Sequence, residues 1–220
     1  MIEQIEIRNL LPCVFAGMED TDRIRSSQIW EEPSFVFHRG CRLCVHAESG
    51  NGKSSLLHFI YGNRKDYKGS ILFDGTDISA LSIAQWCDVR TKGIALLPQD
   101  MALFPELTVG QNIDLKNNMT HHKSCEQIKD LLARLGIDDK HDVAAGKLSI
   151  GQMQRVALVR AVCQPFDFIF LDEPVSHLDA RNNKIVADII TEEANNQGAG
   201  IISTSVGNHL MLDNAKFVSL

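Results

Sequence analysis

The sequence predicts an α/β fold with a mostly parallel sheet. Apolar runs typical of strands alternate with helical patterns along most of the 220 residues. The run at 166–171 is apolar at nearly every position, as in a central parallel strand that is covered on both faces. A glycine-rich loop and then a helix follow the apolar run at 43–45. Ligands of such sheets bind at the carboxyl ends of the strands, so we expect the functional site there.

The first third of the chain predicts strands around one short helix. An edge strand at 1–10 precedes an irregular stretch at 11–28, and the N-terminal strands are expected to pair antiparallel. We expect further strands at 29–30, 34–37, 43–45 and 69–73, a helix at 56–61 closed by Gly62, and a turn at 74–75.

The remainder predicts a helical insertion between strands of the sheet. Three pairs, Ser82 with Gln85, Thr108 with Gln111 and Ser124 with Gln127, have the spacing of a capping box at a helix start. Residues 100–160 are expected to be mainly helical, with helices also at 152–164 and 179–197 and strands at 93–97, 166–171, 200–204 and 215–219. We therefore predict one domain over 1–220, with an α/β core at 1–87 and 164–220 and a helical subdomain at about 88–163.

Composition limits the classes of function. The net charge of −6 argues against a nucleic-acid-binding surface, and no apolar run reaches the ~20 residues of a membrane span. The N-terminus lacks the basic and apolar regions of a signal peptide, so we expect a cytoplasmic protein. Cys41 and Cys44 have the spacing of a metal-binding pair. No second pair accompanies them, so buried thiols are favoured over a zinc or redox site.

The loop at 47–55 has the pattern of a phosphate-binding loop. Backbone N–H groups of such a loop surround an anion, and the helix that follows directs its positive end at the same anion. Lys53 is expected to reach the β- and γ-phosphates of a nucleotide, and the Ser54 hydroxyl to bind Mg²⁺. Ala47 replaces the first glycine of the pattern, which is tolerable if its φ is negative. The proposed binding residues of the loop are Glu48, Ser49, Gly50, Asn51, Gly52, Lys53, Ser54 and Ser55.

Two carboxylates follow the most buried predicted strand. Asp172 is placed to hold Mg²⁺, and Glu173 to polarise an attacking water. A strand that ends in acidic turn residues is the alternative. The phosphate-binding loop upstream favours the catalytic interpretation.

Together with the phosphate-binding loop and the two carboxylates, three further motifs resemble those of the nucleotide-binding subunit of an ATP-binding cassette (ABC) transporter. The resemblance implies a P-loop NTPase core. Residues 148–152 (LSIGQ) resemble the LSGGQ signature, residues 98–100 (PQD) the Q-loop, and residues 176–179 (SHLD) the D-loop. Residues 77–82 and 103–108 resemble the branch of lipoprotein release, macrolide export and cell division.

The resemblance implies an ATPase that works as a dimer. Ser149, Gly151 and Gln152 of one cassette would bind the ATP held by another copy, so that ATP joins the two, and a separate membrane permease on the inner face of the membrane would be the partner. Gln99 would bind the Mg²⁺ ion together with Ser54 and Asp172, and it would act in catalysis by sensing the attacking water. Adenine would stack on Phe15, with Trp30 and Tyr61 as alternatives.

One motif departs from the family. The switch histidine of the family follows the last core strand in a T-H pair, where this chain has Thr204 and Ser205. Serine cannot act as a cation, so we expect slow ATP hydrolysis unless another residue compensates. His209 is the candidate, because it would lie one helical turn further on if a helix begins there. The alternatives are an ATP switch without a transport role and an unrelated P-loop enzyme such as a small-molecule kinase.

Overall fold

The computed structural model describes residues 1–18 and 20–220, with the side chain of Arg23 left out. The strands are β1 (Gln4–Pro12), β2 (Ser34–His38), β3 (Arg42–His46), β4 (Tyr67–Phe73), β5 (Thr76–Asp77), β6 (Ile94–Leu97), β7 (Phe168–Asp172), β8 (Gly200–Ser205) and β9 (Lys216–Ser219). The helices are α1 (Asp22–Arg25), α2 (Lys53–Ile60), α3 (Ile83–Asp88), α4 (Val109–Asn117), α5 (Cys125–Arg134), α6 (Ile150–Val162) and α7 (Ala180–Gln197).

The strands form two sheets. The order β2-β1-β4-β5 is antiparallel, and the order β6-β7-β8-β3-β9 is parallel. The predicted fold class is therefore confirmed. The predicted edge position of the first strand is wrong, because β1 lies between β2 and β4 and forms hydrogen bonds on both sides.

The first four residues of strand β7 are apolar because they are covered on both faces of the sheet. Phe168 and Phe170 face the apolar cluster between the two sheets, while Ile169 and Leu171 face the cluster under α4 to α7. All five residues of the strand are buried. This arrangement places the residues that follow Leu171 at the carboxyl edge of the parallel sheet.

The region around α4, α5 and α6 shares its core with the parallel sheet. One apolar cluster joins Ile113, Leu131 and Val156 of these helices to Leu171 and Ile190 of β7 and α7. The division into a core and a helical subdomain at 88–163 stays a prediction. No helix in residues 1–18 and 20–220 is both long and apolar enough to cross a bilayer.

Local patterns predicted most of the helix starts. All three capping boxes are present, and Ser149 with Gln152 forms a fourth at the start of α6. The predicted strand at 29–30 is wrong, because the Ser27 hydroxyl accepts hydrogen bonds from the N–H groups of Ile29 and Trp30 and holds them in a turn. The stretch at 11–28 contains a 3₁₀ turn at Cys13–Phe15 as well as α1. A π-helical turn at Val89–Gly93 continues α3.

Candidate functional site

The candidate phosphate-binding loop joins β3 to α2, as the sequence predicts. Gly50 and Gly52 have φ values of +85° and +93°, whereas Ala47 is not in the left-handed region. Alanine is therefore accommodated at the first position of the motif without backbone strain. Glu48, Ser49 and Gly50 are exposed, so the loop is open to a ligand. Ser55 lies on the first turn of α2, where its hydroxyl accepts a hydrogen bond from Arg64.

Lys53 is held inside this loop. Its Nζ donates hydrogen bonds to the carbonyl oxygens of Ala47 (2.9 Å) and Glu48 (3.0 Å), and it lies 4.0 Å from Oε1 of Glu173. Burial lowers the pKa of Lys53, while the charges of Glu173 and Asp172 act in the opposite direction. The lysine thus places a buried positive charge beside the carboxylates of Asp172, the last residue of β7, and of Glu173, the residue after it.

Thr204 connects those two carboxylates to β8. Its hydroxyl donates a hydrogen bond to Oδ1 of Asp172 (2.6 Å) and accepts a hydrogen bond from the N–H of Glu173 (3.1 Å). Asp172 is only 2% exposed. Glu173 has a φ of +49°, a conformation that is uncommon for a residue other than glycine. Sequence reasoning placed both carboxylates at the carboxyl end of the strand, although Asp172 is its last residue rather than the first after it. It missed Thr204, whose role depends on its position opposite Asp172 in the neighbouring strand.

A cleft of about 410 Å³ lies beside Asp172. The residues that line it are Ser54, His58, Pro98, Gln99, Asp100 and Asp172. The structure thus brings together the three side chains that we expected to hold a metal, Ser54, Gln99 and Asp172. His58 was missed, although its position four residues after Ser54 on α2 places both on one helix face.

The donor atoms of this cleft fit a magnesium ion. All three candidate ligands offer oxygen, which Mg²⁺ prefers, and Asp172 adds a buried carboxylate. Within the part of the chain that the structure describes, no cluster of three or more His, Cys, Asp or Glu could hold a metal by itself. A magnesium ion here would complete its ligands with waters and with oxygens of a bound phosphate.

The residues of the candidate signature start α6. The Ser149 hydroxyl accepts from the N–H of Gln152, and the Gln152 side chain accepts in return from the N–H of Ser149. Ile150 is 51% exposed beside them. A Cβ on Gly151 would come within 3.2 Å of the carbonyl oxygen of His177, so this helix start packs closely against the segment after β7. These signature residues are not among those that line the cleft. Their role in nucleotide binding stays a prediction.

Phe15 is buried against the phosphate-binding loop at Gly52. It is 4% exposed, and a Cβ on Gly52 would meet Phe15 and Trp30 at 3.4 and 3.3 Å. The Trp30 indole N–H donates to the carbonyl oxygen of Asn51 (3.2 Å). Tyr61 is half-buried, with the Arg90 guanidinium over its ring. Stacking of adenine on Phe15 stays a prediction, and it requires the Phe15 ring to be uncovered.

The segment after β8 differs from the expectation. Ser205 is 1% exposed in β8, and its Oγ lies 3.6 Å from the Cys44 sulfur. No helix begins near His209, so the premise that it lies one helical turn further on is wrong. Instead, the exposed His209 ring packs edge-on against Phe217 at 5.1 Å.

Comparison with known proteins is consistent with these motifs. The ABC transporter family matches residues 30–176. The lipoprotein-releasing system ATP-binding protein LolD of Buchnera aphidicola is 31% identical over 175 residues, which cover 78% of this chain and 76% of that protein. The xylose import ATP-binding protein XylG of Escherichia coli K12 is 35% identical over 153 residues, 66% of this chain but only 29% of that longer protein.

Solved structures with the same fold are also ABC cassettes. A dimeric bacterial ABC transporter cassette superposes with a TM-score of 0.73 at 19% identity, covering 98% of this chain and 94% of that one. A dimeric post-hydrolysis cassette bound to ADP and phosphate superposes with a TM-score of 0.71 at 19% identity, covering 93% and 88%. Since the family match extends over more than half of the chain, the protein belongs to the ABC transporter family, and the prediction of an ABC-type ATPase is confirmed.

Proposed function

We propose that the protein is the ATP-binding and ATP-hydrolysing subunit of an ABC transporter, which dimerises on ATP and drives a separate membrane permease. The observation that carries the proposal is the cleft of Ser54, Gln99 and Asp172 beside the loop that holds Lys53. Glu173 lies within 4.0 Å of Lys53, so an acid and a cation face the place where phosphate would bind.

The chemistry assigned to the site is hydrolysis of the terminal phosphate. The oxygen of a water bonds to the γ-phosphorus, and the bond from that phosphorus to the bridging oxygen breaks. The electron pair leaves with ADP. Glu173 would orient the water and accept its proton, and Lys53 would neutralise the phosphate charge. A magnesium ion held by Ser54, Gln99 and Asp172 would neutralise further negative charge.

Dimerisation would complete the site. The N-terminus of α6 presents the Ser149 cap, the backbone at Gly151 and the exposed Ile150. Helix N-termini attract anions, so this end of α6 suits the γ-phosphate held by a second copy. ATP would then contact both copies only in the closed dimer, which shifts the equilibrium towards that dimer. Ile150 would lie at this contact.

A groove near the cleft supports a permease partner. Its volume is about 280 Å³, and two of its lining residues, Phe104 and Leu115, are 53% and 47% exposed. An apolar helix from a membrane subunit would cover these side chains. Arg160 in the same groove donates hydrogen bonds to the carbonyl oxygens of Met101 and Ala102, just after Gln99. A partner bound in the groove would therefore act on the segment that carries Gln99 into the cleft. Such a partner would hold the protein at the inner face of the membrane.

The similarity to LolD favours the lipoprotein-release, macrolide-export and cell-division branch, as residues 77–82 and 103–108 predicted. That protein is named for a lipoprotein-releasing system. Branch membership would make the partner a membrane subunit of an export or release system.

A slow ATP switch is the second candidate. Ser205 occupies the position of the switch histidine, and its hydroxyl faces Cys44 in the interior rather than the cleft. The His209 ring packs on Phe217. Neither side chain is placed to polarise the γ-phosphate, which favours slow turnover.

The test combines ATP hydrolysis with oligomeric state. We expect the purified protein to hydrolyse ATP with Mg²⁺, and Glu173→Gln to lose hydrolysis and run as a dimer with ATP in size-exclusion chromatography with light scattering. Glu32→Gln changes an exposed carboxylate elsewhere and should behave as the wild type.

Each outcome of this test assigns the function. Dimers without turnover in the wild type would favour the switch. Absence of both ATP binding and ATP-dependent dimers would contradict both candidates.

A further inference from the structure

The backbone at Glu173 is held in an unusual conformation from two sides. Its φ of +49° lies in the left-handed region, which side chains other than glycine rarely adopt. Its N–H donates to the Thr204 hydroxyl from β8. Its carbonyl oxygen accepts from Nε2 of Gln154 (3.0 Å) and from the Ser176 hydroxyl (3.2 Å). The direction of the Glu173 side chain therefore depends on groups outside its own strand.

Gln154 uses both ends of its amide on this segment. Its Nε2 donates to the Glu173 carbonyl oxygen and also lies 3.3 Å from the Ser176 hydroxyl, while its Oε1 accepts from the N–H of His177 (3.3 Å). Gln154 is 4% exposed. A buried amide that bonds to a carbonyl oxygen and an N–H four residues apart ties together the two ends of the turn between them. The Ser176 hydroxyl supports the same turn, because it also donates to the Glu173 carbonyl oxygen.

The helix that carries Gln154 is the one that starts at Ser149. Gln154 is five residues from the capping residue, and Gly151 packs against the His177 carbonyl at the same helix end. The start of α6 therefore touches the segment 173–178 at two points, once through the Gly151 backbone and once through the Gln154 amide. A shift of this helix start would move the backbone of Glu173.

We propose that Gln154 is a positioning residue for Glu173, and that it links the start of α6 to that carboxylate. The inference rests on the proposed function, in which Glu173 orients the attacking water. In the proposed dimer, the α6 start of one copy would contact the nucleotide of the other copy. Gln154 would then transmit that contact to the carboxylate of its own site.

Gln154→Met tests the proposal because methionine keeps the length of the side chain and removes all three of its hydrogen bonds, those to Glu173, Ser176 and His177. We expect kcat for ATP hydrolysis to fall about ten- to a hundredfold, since a displaced catalytic group loses orientation. The KM for ATP should stay within about twofold, because the loop that holds the phosphates is untouched. A purely structural role would instead lower the stability and the active fraction without this split between kcat and KM.

Gln164→Met is the matched control. Gln164 is a glutamine that is 1% exposed just beyond α6, and its amide donates to the carbonyl oxygen of Ile94, not to the site. Its replacement should cost similar stability and leave kcat within about twofold of the wild type. If Gln154→Met retains the kcat of Gln164→Met, the proposal is overturned.

Gln154→Glu separates the two halves of the amide. Glutamate keeps an oxygen that accepts a hydrogen bond from the His177 N–H. It lacks the N–H groups that donate to the Glu173 carbonyl oxygen and to the Ser176 hydroxyl. It should reduce kcat as methionine does, while the His177 amide stays protected from hydrogen exchange. Exchange at His177 equal to that of Gln154→Met would contradict this division.

Hydrogen exchange of the nucleotide-free protein distinguishes failure of this inference from failure of the proposed function. We expect faster amide exchange at 173–178 in Gln154→Met than in Gln164→Met, whether or not the protein hydrolyses ATP. If the wild type has no ATPase activity, the proposed function fails, and exchange alone decides whether Gln154 holds the segment. Unchanged exchange at 173–178 would overturn the inference.

Discussion

At the scale of single residues, two neighbouring histidines differ in burial. His121 is exposed, but the Nε2 atom of His122 is buried and has no hydrogen-bond partner in the structure. Burial is the main cause that lowers the pKa of His122 below its usual value near 6.5, and the charge of Lys123 lowers it further while Glu193 opposes. The ring is therefore neutral in the fold at neutral pH.

This lowered pKa predicts a loss of stability in mild acid. Below about pH 6.5 the unfolded chain takes up a proton at His122 more readily than the folded protein, so the free energy of unfolding falls as pH drops towards the lower folded pKa. Above that range both states are neutral, and His122 contributes no pH dependence.

Urea unfolding at several pH values between about 5 and 8 measures this effect. In His122→Gln the decline should be shallower than in the wild type. His121→Asn, at the exposed neighbour with a φ of +50°, should keep the slope of the wild type. Equal slopes in all three proteins would show that His122 is not the group that titrates.

At the scale of elements, a buried ion pair connects the loop between α4 and α5 to α7. Lys123 Nζ lies 2.7 and 2.6 Å from the two carboxylate oxygens of Glu193, and both side chains are 9% exposed. Asn117 holds the same loop through hydrogen bonds to the N–H and carbonyl oxygen of Lys123. The loop between the two helices is therefore fixed to the helix that packs on the sheet.

Breaking this pair should be costly. Lys123→Met leaves the Glu193 charge buried and unpaired, so the free energy of unfolding should fall by about 3–5 kcal/mol. The double variant Lys123→Met with Glu193→Leu removes both charges and should be more stable than the single variant. Lys92→Met, which removes an exposed pair between the π-helical turn and Asp88 at the end of α3, should leave the stability nearly unchanged. Additive effects of the two substitutions in a double-mutant cycle would show that the pair is not coupled.

The elements also show what the sequence could predict. The parallel strands and the capping boxes were predictable, because burial on both faces and helix capping leave local patterns. The turn at Ile29 and Trp30 was missed since a single hydroxyl, that of Ser27, determines it. In the site, the phosphate loop and the two carboxylates follow from motifs. Gln154 and Thr204 reach Glu173 only through tertiary packing, which has no local pattern.

At the scale of the whole molecule, the groove that holds Phe104 and Leu115 adjoins the cleft of Asp172, since Pro98 lines both. We expect Leu115→Asp to prevent co-purification with the proposed membrane permease when the two are co-expressed, because a charge replaces an apolar contact. ATP hydrolysis by the isolated variant should equal that of the wild type. Ile83→Asp, at an isoleucine that is 85% exposed on α3 and outside the groove, should leave co-purification intact. Retained binding by Leu115→Asp would assign the partner to another face.

The order of the parallel sheet also has a consequence for biosynthesis. Strand β3, which leads into the phosphate loop, pairs on one side with β8 and on the other with β9. The two partners leave the ribosome about 160 and about 170 residues later, which at typical elongation rates is a delay of roughly 8–35 s. During this time β3 has two open edges, and unpaired strand edges are prone to aggregation. The nucleotide-binding loop, although encoded in the first quarter of the chain, is therefore among the last parts of the protein to take its final form.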